Sequence, residues 1–267
     1  MDVQIFLIFL FTLIIHCITT LSYSVRLVGV STGRIAISFA LFNILVLISR
    51  TSNAFQAPLL AKKVEQDILL NSVFSAEGEF RLFIIAASVG TLIGALLIPT
   101  FQRLFSKFVF SFNFNRSVPR VLLHGFTKSG IKQIVDNLKI PDMKNISQLK
   151  SFKQIPFTII ILNILAVSLL TVGVFSAIYA GYYYPDYRVT SSTLAAVING
   201  LATILLFVFV DPYLSALTDD VIEGKNSESF FRKCIVFMVI SRFIGTLLAQ
   251  ILFIPATHII YAFAGLL

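Results

Sequence analysis

The chain has no tryptophan and only two cysteines, and just 13% of its 267 residues are charged. A soluble domain of this length needs about a quarter of its residues charged to cover its surface, so an ordinary globular protein is excluded. Cys17 and Cys234 lie in apolar runs without redox or metal spacing, which excludes a disulfide framework and leaves both as packing residues. His16, His124 and His258 are scattered, and there is no HExxH, no pair of carboxylates within an apolar run and no glycine-rich phosphate loop. The usual marks of a hydrolase or nucleotide-dependent enzyme are missing, and no cofactor or metal is expected. Two-residue alternation is missing as well, which excludes a membrane β-barrel.

Apolar residues, by contrast, make up 57% of the chain, with 27 Phe and a mean hydropathy of +0.90. They fall into six runs of bilayer-spanning length, about 20 residues each: Val3–Leu21, Ile35–Phe55, Leu82–Arg103, Pro156–Ala180, Thr190–Val210 and Cys234–Ile254. This pattern predicts an all-α membrane protein, residues 1–267 forming one polytopic domain of six transmembrane helices. The first run has only Asp2 before it and no small-residue cleavage pattern after it, so it reads as a span and not as a cleaved leader.

The net charge of +8 is unevenly placed. Ten Lys/Arg and only two acids, Asp136 and Asp142, lie between Arg103 and Lys153, in a basic central loop of about residues 104–155. The short segments Ser22–Arg34 and Asp211–Lys233 carry further basic residues on the same side. The positive-inside rule puts these segments in the cytoplasm and both termini outside. Tyr179, Tyr182, Tyr183, Tyr184 and Tyr187 gather where the outer interface belongs, as in an aromatic belt. The basic loop is therefore a topology signal and a surface suited to anionic lipid headgroups. It lacks the aromatic interleaving of a nucleic-acid site, and no nucleic-acid partner is expected. Three spans on either side of the loop permit a 3+3 arrangement, although no internal repeat is evident. Gly90 and Gly94 have the spacing of close helix packing.

Two arginines interrupt the apolar runs. Arg242 is nine residues from Lys233, about 13 Å along a helix, near mid-membrane. Arg50 is sixteen residues from Arg34, about 24 Å, in the outer part of a core about 30 Å thick. Each costs roughly 2.5–3.5 kcal/mol at a helix centre, and no Asp or Glu lies at the same depth. Asn43, Arg50 and Ala57 recur at seven-residue spacing with Asn53 beside them; Arg242 shares a face with Gly245, Thr246 and Ala249. Such faces belong against protein or a wet cavity. One reading is structural: Arg50 reaches outer water or Glu65, and Arg242 bonds backbone carbonyls. The other is that both serve an anion entering the membrane, with Asn43, Asn53 and Gln250 assisting; a guanidinium fork suits phosphate oxygens.

The block "TLSYSVRLVGVSTGRIAISFALFNILVLISRTSNAFQAPLLA" (Thr20 to Ala61) and "RFIGTLLAQILFIPATHIIYAF" (from Arg242) closely resemble the Amj family, the alternate lipid II flippases of bacteria. The resemblance covers the whole chain. It implies a plasma-membrane transporter, not an enzyme, that moves lipid II, an undecaprenyl-pyrophosphate-linked peptidoglycan precursor, from the inner to the outer leaflet for cell-wall synthesis. Lipid II and membrane lipids would be its partners, and homo-oligomerisation stays open. The alternative is a non-transporting scaffold, or a membrane enzyme acting on an anionic lipid, whose arginines are structural.

Overall fold

A computed structural model describes residues 2–70, 72, 75–115, 127, 132 and 155–267. Most of the basic central loop lies outside these residues. Six helices are long and apolar enough to cross a bilayer: α1 (Val3–Thr32), α2 (Ile35–Leu69), α3 (Ala76–Asn115), α4 (Phe157–Tyr183), α5 (Pro185–Ile222) and α6 (Glu228–Leu266). The fold is thus all-α, as the apolar runs require.

The helices outrun those runs, for local reasons. Asp2 caps α1 by accepting from the Gln4 amide, and Gly33 ends it in the left-handed conformation, φ 65°, which glycine adopts without a Cβ penalty. The segment Ser22–Arg34, expected as a link, is helical as far as Thr32. Thr19, Thr20, Ser22 and Ser24 return their hydroxyls to carbonyls three or four residues back, so the polar stretch needs no water. Ser227 caps α6 through the Phe230 amide. Helix α5 is broken: a 3-10 turn at Pro185–Tyr187 and short helical pieces lead into a π-helical stretch, Leu205–Val210, directly before Asp211 and Pro212. Proline removes a backbone donor and crowds the carbonyl four residues earlier, and a widened turn absorbs both effects.

Packing divides the bundle into two halves on one plan. Gly90 of α3 lies against the Leu13 backbone and Gly94 against Cys17 and Thr20, so α1 and α3 run in the same direction in close contact. A Cβ on Gly94 would come within 2.6 Å of the Cys17 carbonyl oxygen. In the second half Gly245 of α6 lies against Ile164 and Val167, Asn163 bonds Met238 and Ser241, and Ser176 bonds Phe253; α4 and α6 are likewise parallel. Helix α2 flanks the first pair and α5 the second. The 3+3 arrangement is therefore present, and with three helices per half it is inverted. Its sequence trace is "GTLIGALLIP" from Gly90 against "GTLLAQILFIP" from Gly245.

The halves join at the outer end, named after the charge bias, through aromatic and polar contacts. Phe80 is fully buried, with ring centroids at 5.2 Å from Tyr179, 6.0 Å from Phe253 and 6.3 Å from Phe175. Tyr182 donates to Asp67 at 2.6 Å, and Asp67 and Glu79 pair with the buried Lys63. Tyr183 and Tyr187 are exposed, whereas Tyr179 is buried in this cluster.

Candidate functional site

Below the aromatic cluster the seam between the halves is polar. Thr12, His16, Thr19, Tyr23 and Arg26 recur along α1 at steps of four, three, four and three, which places them on one face at 3.6 residues per turn. Four helices answer this stripe. Gln56 of α2 donates to the Thr12 hydroxyl, Arg242 of α6 to the Thr19 hydroxyl at 2.5 Å, and Arg26 to Asp211 of α5 at 2.6 Å. The Tyr23 hydroxyl lies beside Arg242 and Asn163 of α4, with Arg26 and Asp211 within electrostatic reach.

Arg242 is 9% exposed. Among the described residues it has no acidic partner, and its Nε has no hydrogen-bond partner at all. Its neighbours are two hydroxyls, where the structural reading expected backbone carbonyls. His16 is close enough to feel its charge, and has an unpartnered Nδ1 of its own. Asn163 is fully buried: its amide nitrogen donates to the Ser241 hydroxyl and the Met238 carbonyl, and its Oδ1 is unpartnered. An unsatisfied buried polar group costs about 1–3 kcal/mol, more when charged. These groups lie near one another in the seam between the two halves, and the unpartnered Nε–H of Arg242 makes the site suited to a polar guest that carries an anionic group.

The other expected site residues lie elsewhere. Arg50 and Asn43 are exposed on α2, and Asn53 is half-buried. Arg50 has no hydrogen-bond or ion-pair partner among the described residues; Glu65, its expected structural partner, faces Arg188 at 3.8 Å instead. Phe39, eleven residues before Arg50 and so on the same face to within about 20°, packs on the Arg26 guanidinium. The Arg50 face thus borders the same side of α1 that holds the polar stripe. Across the α1–α2 seam Gly29 meets Ser38 and Thr12 meets Gln56. Arg50 therefore stands near the level of Cys17 and Ile18, roughly 2 Å above Thr19 at about 1.5 Å per residue. The depth difference from the Arg242–Thr19 contact is accordingly small, far below that implied by counting residues from each helix start. Gln250 belongs to the outer closure: its amide donates to the Arg81 carbonyl at 2.9 Å, and Arg81 donates back to the Gln250 carbonyl at 3.1 Å. Arg242 joins neither Arg50 nor Gln250 in a shared contact.

Tyr23, Arg26, Asn163 and Asp211 are not evident from the apolar runs alone. The spacing from Thr12 to Arg26 is the signal that finds the first two.

Comparison with known proteins places this geometry in a family. Residues 11–264 match the family model described as Amj, alternate to MurJ. The chain is 40% identical over 260 residues to the lipid II flippase Amj of Bacillus subtilis (strain 168), covering 96% of this chain and 95% of that protein. No solved structure matches it. The chain belongs to the Amj family.

Proposed function

We propose that this chain, as a member of the Amj family, is a lipid II flippase of the bacterial plasma membrane, a multi-pass transporter and not an enzyme. One structural observation carries the reading beyond family membership: a buried arginine with no acidic partner among the described residues, at the polar seam between two inverted halves. The pyrophosphate of the substrate supplies the anion this guanidinium lacks, and its polyprenyl tail remains in lipid. Arg242 takes the headgroup at mid-depth; Arg50, with Asn43 and Asn53 along its helix, meets it at nearly the same depth, a little toward the outer side. Gln250 acts less directly, as part of the outer closure that must part for release. The scaffold and membrane-enzyme readings have no comparable observation in their favour. Complementation tests the function: in a strain depleted of its other lipid II flippases, expression of this chain should restore growth, and failure to do so at normal abundance would count against it.

Both termini lie outside in this reading. In a background with Cys17 and Cys234 replaced by alanine, Asp186→Cys should react with an impermeant thiol reagent in intact cells. Lys225→Cys should react only after permeabilisation. The reverse pattern would invert every depth assignment.

A further inference from the structure

At the opposite end of the polar stripe from the aromatic cluster, a shallow, open cavity lies between α1, α2 and α5. Its walls are mostly apolar, with Phe39 and Phe42 prominent, but Arg26, Ser38 and Thr218 also line it. The Arg26 guanidinium is 5.8 Å from the Phe39 ring centre and 5.5 Å from that of Phe42. Its side chain is 6% exposed, and it spends only Nη2 on Asp211, leaving Nη1 with no partner among the described residues. Ser38, 3% exposed, has an unpartnered Oγ on the same cavity. Thr218 is occupied, returning its hydroxyl to the Leu214 carbonyl.

We infer that Arg26 and Ser38 form a phosphate-binding subsite at the inner end, and that the Asp211 carboxylate holds the Arg26 guanidinium by its Nη2 when substrate is absent. A planar guanidinium with one free edge, a free hydroxyl and aromatic walls are what a phosphate oxygen attached to a lipid chain requires. Asp211 is 32% exposed at its side chain, so it can swing to water when an anion replaces it. The inference rests on the flippase reading for the identity of the anion, the pyrophosphate of lipid II. Phospholipid headgroups offer the same chemistry, and the test separates the two. Along α1, Arg26 is seven residues from Thr19, about 10 Å, so the headgroup would meet a cation before it reaches Arg242.

The experiment measures lipid II binding by the full chain in nanodiscs, with phosphatidylglycerol as a separate ligand. Arg26→Gln should weaken lipid II binding at least tenfold. Arg26→Lys, which keeps charge but loses the fork, should weaken it about threefold at normal abundance. Asp211→Asn should tighten it several-fold in the presence of Arg26 and change nothing in the Arg26→Gln background. A merely structural ion pair gives the opposite sign, since Asp211→Asn then loosens the fold and weakens binding; that result overturns the inference. It is also overturned if phosphatidylglycerol shows the Arg26 dependence and lipid II does not. If wild-type protein binds no lipid II and complements no depleted strain, the flippase reading itself has failed. If wild type binds and complements while all three variants match it, only the subsite has failed.

Discussion

Arg242→Met should produce an abundant, stably folded protein that moves no lipid II. Methionine fills much of the arginine's volume in the seam and removes a charge that has no acid beside it among the described residues. Replacing a buried charge by an apolar group of similar size is often neutral or stabilising, so detergent-extracted Tm should hold or rise. Transport should fall about 100-fold or more. Two charge-assisted hydrogen bonds to phosphate, at roughly 1.5–3 kcal/mol each, correspond to at least that factor at about 1.4 kcal/mol per tenfold. Arg242→Lys should recover only part of the rate, because a point charge cannot bond two oxygens at once. A structural arginine would behave differently: Arg242→Met would then transport normally, or stability and transport would fall together. Abundance, Tm and complementation measured on the same strains separate these outcomes.

Arg50→Glu should be the second severe change. Arg50 is exposed and unpaired among the described residues, so neither Arg50→Ala nor Arg50→Glu removes a contact that holds the fold. Arg50→Ala should slow transport only about threefold to tenfold, since water near the outer side replaces part of what is lost. Arg50→Glu places a negative charge close to the level of the Arg242–Thr19 contact, roughly 2 Å above it, and should slow transport a further tenfold by repelling the pyrophosphate. Unlike charges screened in bulk solvent, these lie against low-dielectric walls, where repulsion is stronger. If Arg50→Glu complements as well as wild type, Arg50 is an interfacial anchor.

The six helices were legible because apolar runs of spanning length are a strong signal, and the interior position of Arg242 followed from its distance to Lys233. The Gly90 and Gly94 spacing correctly indicated close packing, since the Cβ-free surface sits on the α1 backbone. Other features were hidden for physical reasons. Arg26 follows Ser22, Tyr23 and Ser24, which lower local hydropathy and resemble a link, yet their hydroxyls bond within the helix and α1 continues past them. Asp211 stands at the end of an apolar run and looks solvated; only the fold brings it to Arg26 across 185 residues. The repeat between α3 and α6 is blurred because the second copy has one more residue between its glycine and its proline. Gln250 lies on a helix with Arg242, but its amide is held by Arg81 at the outer closure, a pairing that no local spacing encodes.

The central claim, that the acid-free arginine in the seam carries a lipid-linked pyrophosphate across the membrane, is tested most directly in sealed vesicles. Purified protein is reconstituted with lipid II labelled on its headgroup, and an impermeant quencher reports the fraction exposed on the outer face over time. Wild-type vesicles should expose inner-leaflet lipid II to the quencher, while Arg242→Met vesicles, with the same protein content, should match protein-free ones. Equal exposure by wild type and Arg242→Met would contradict the claim.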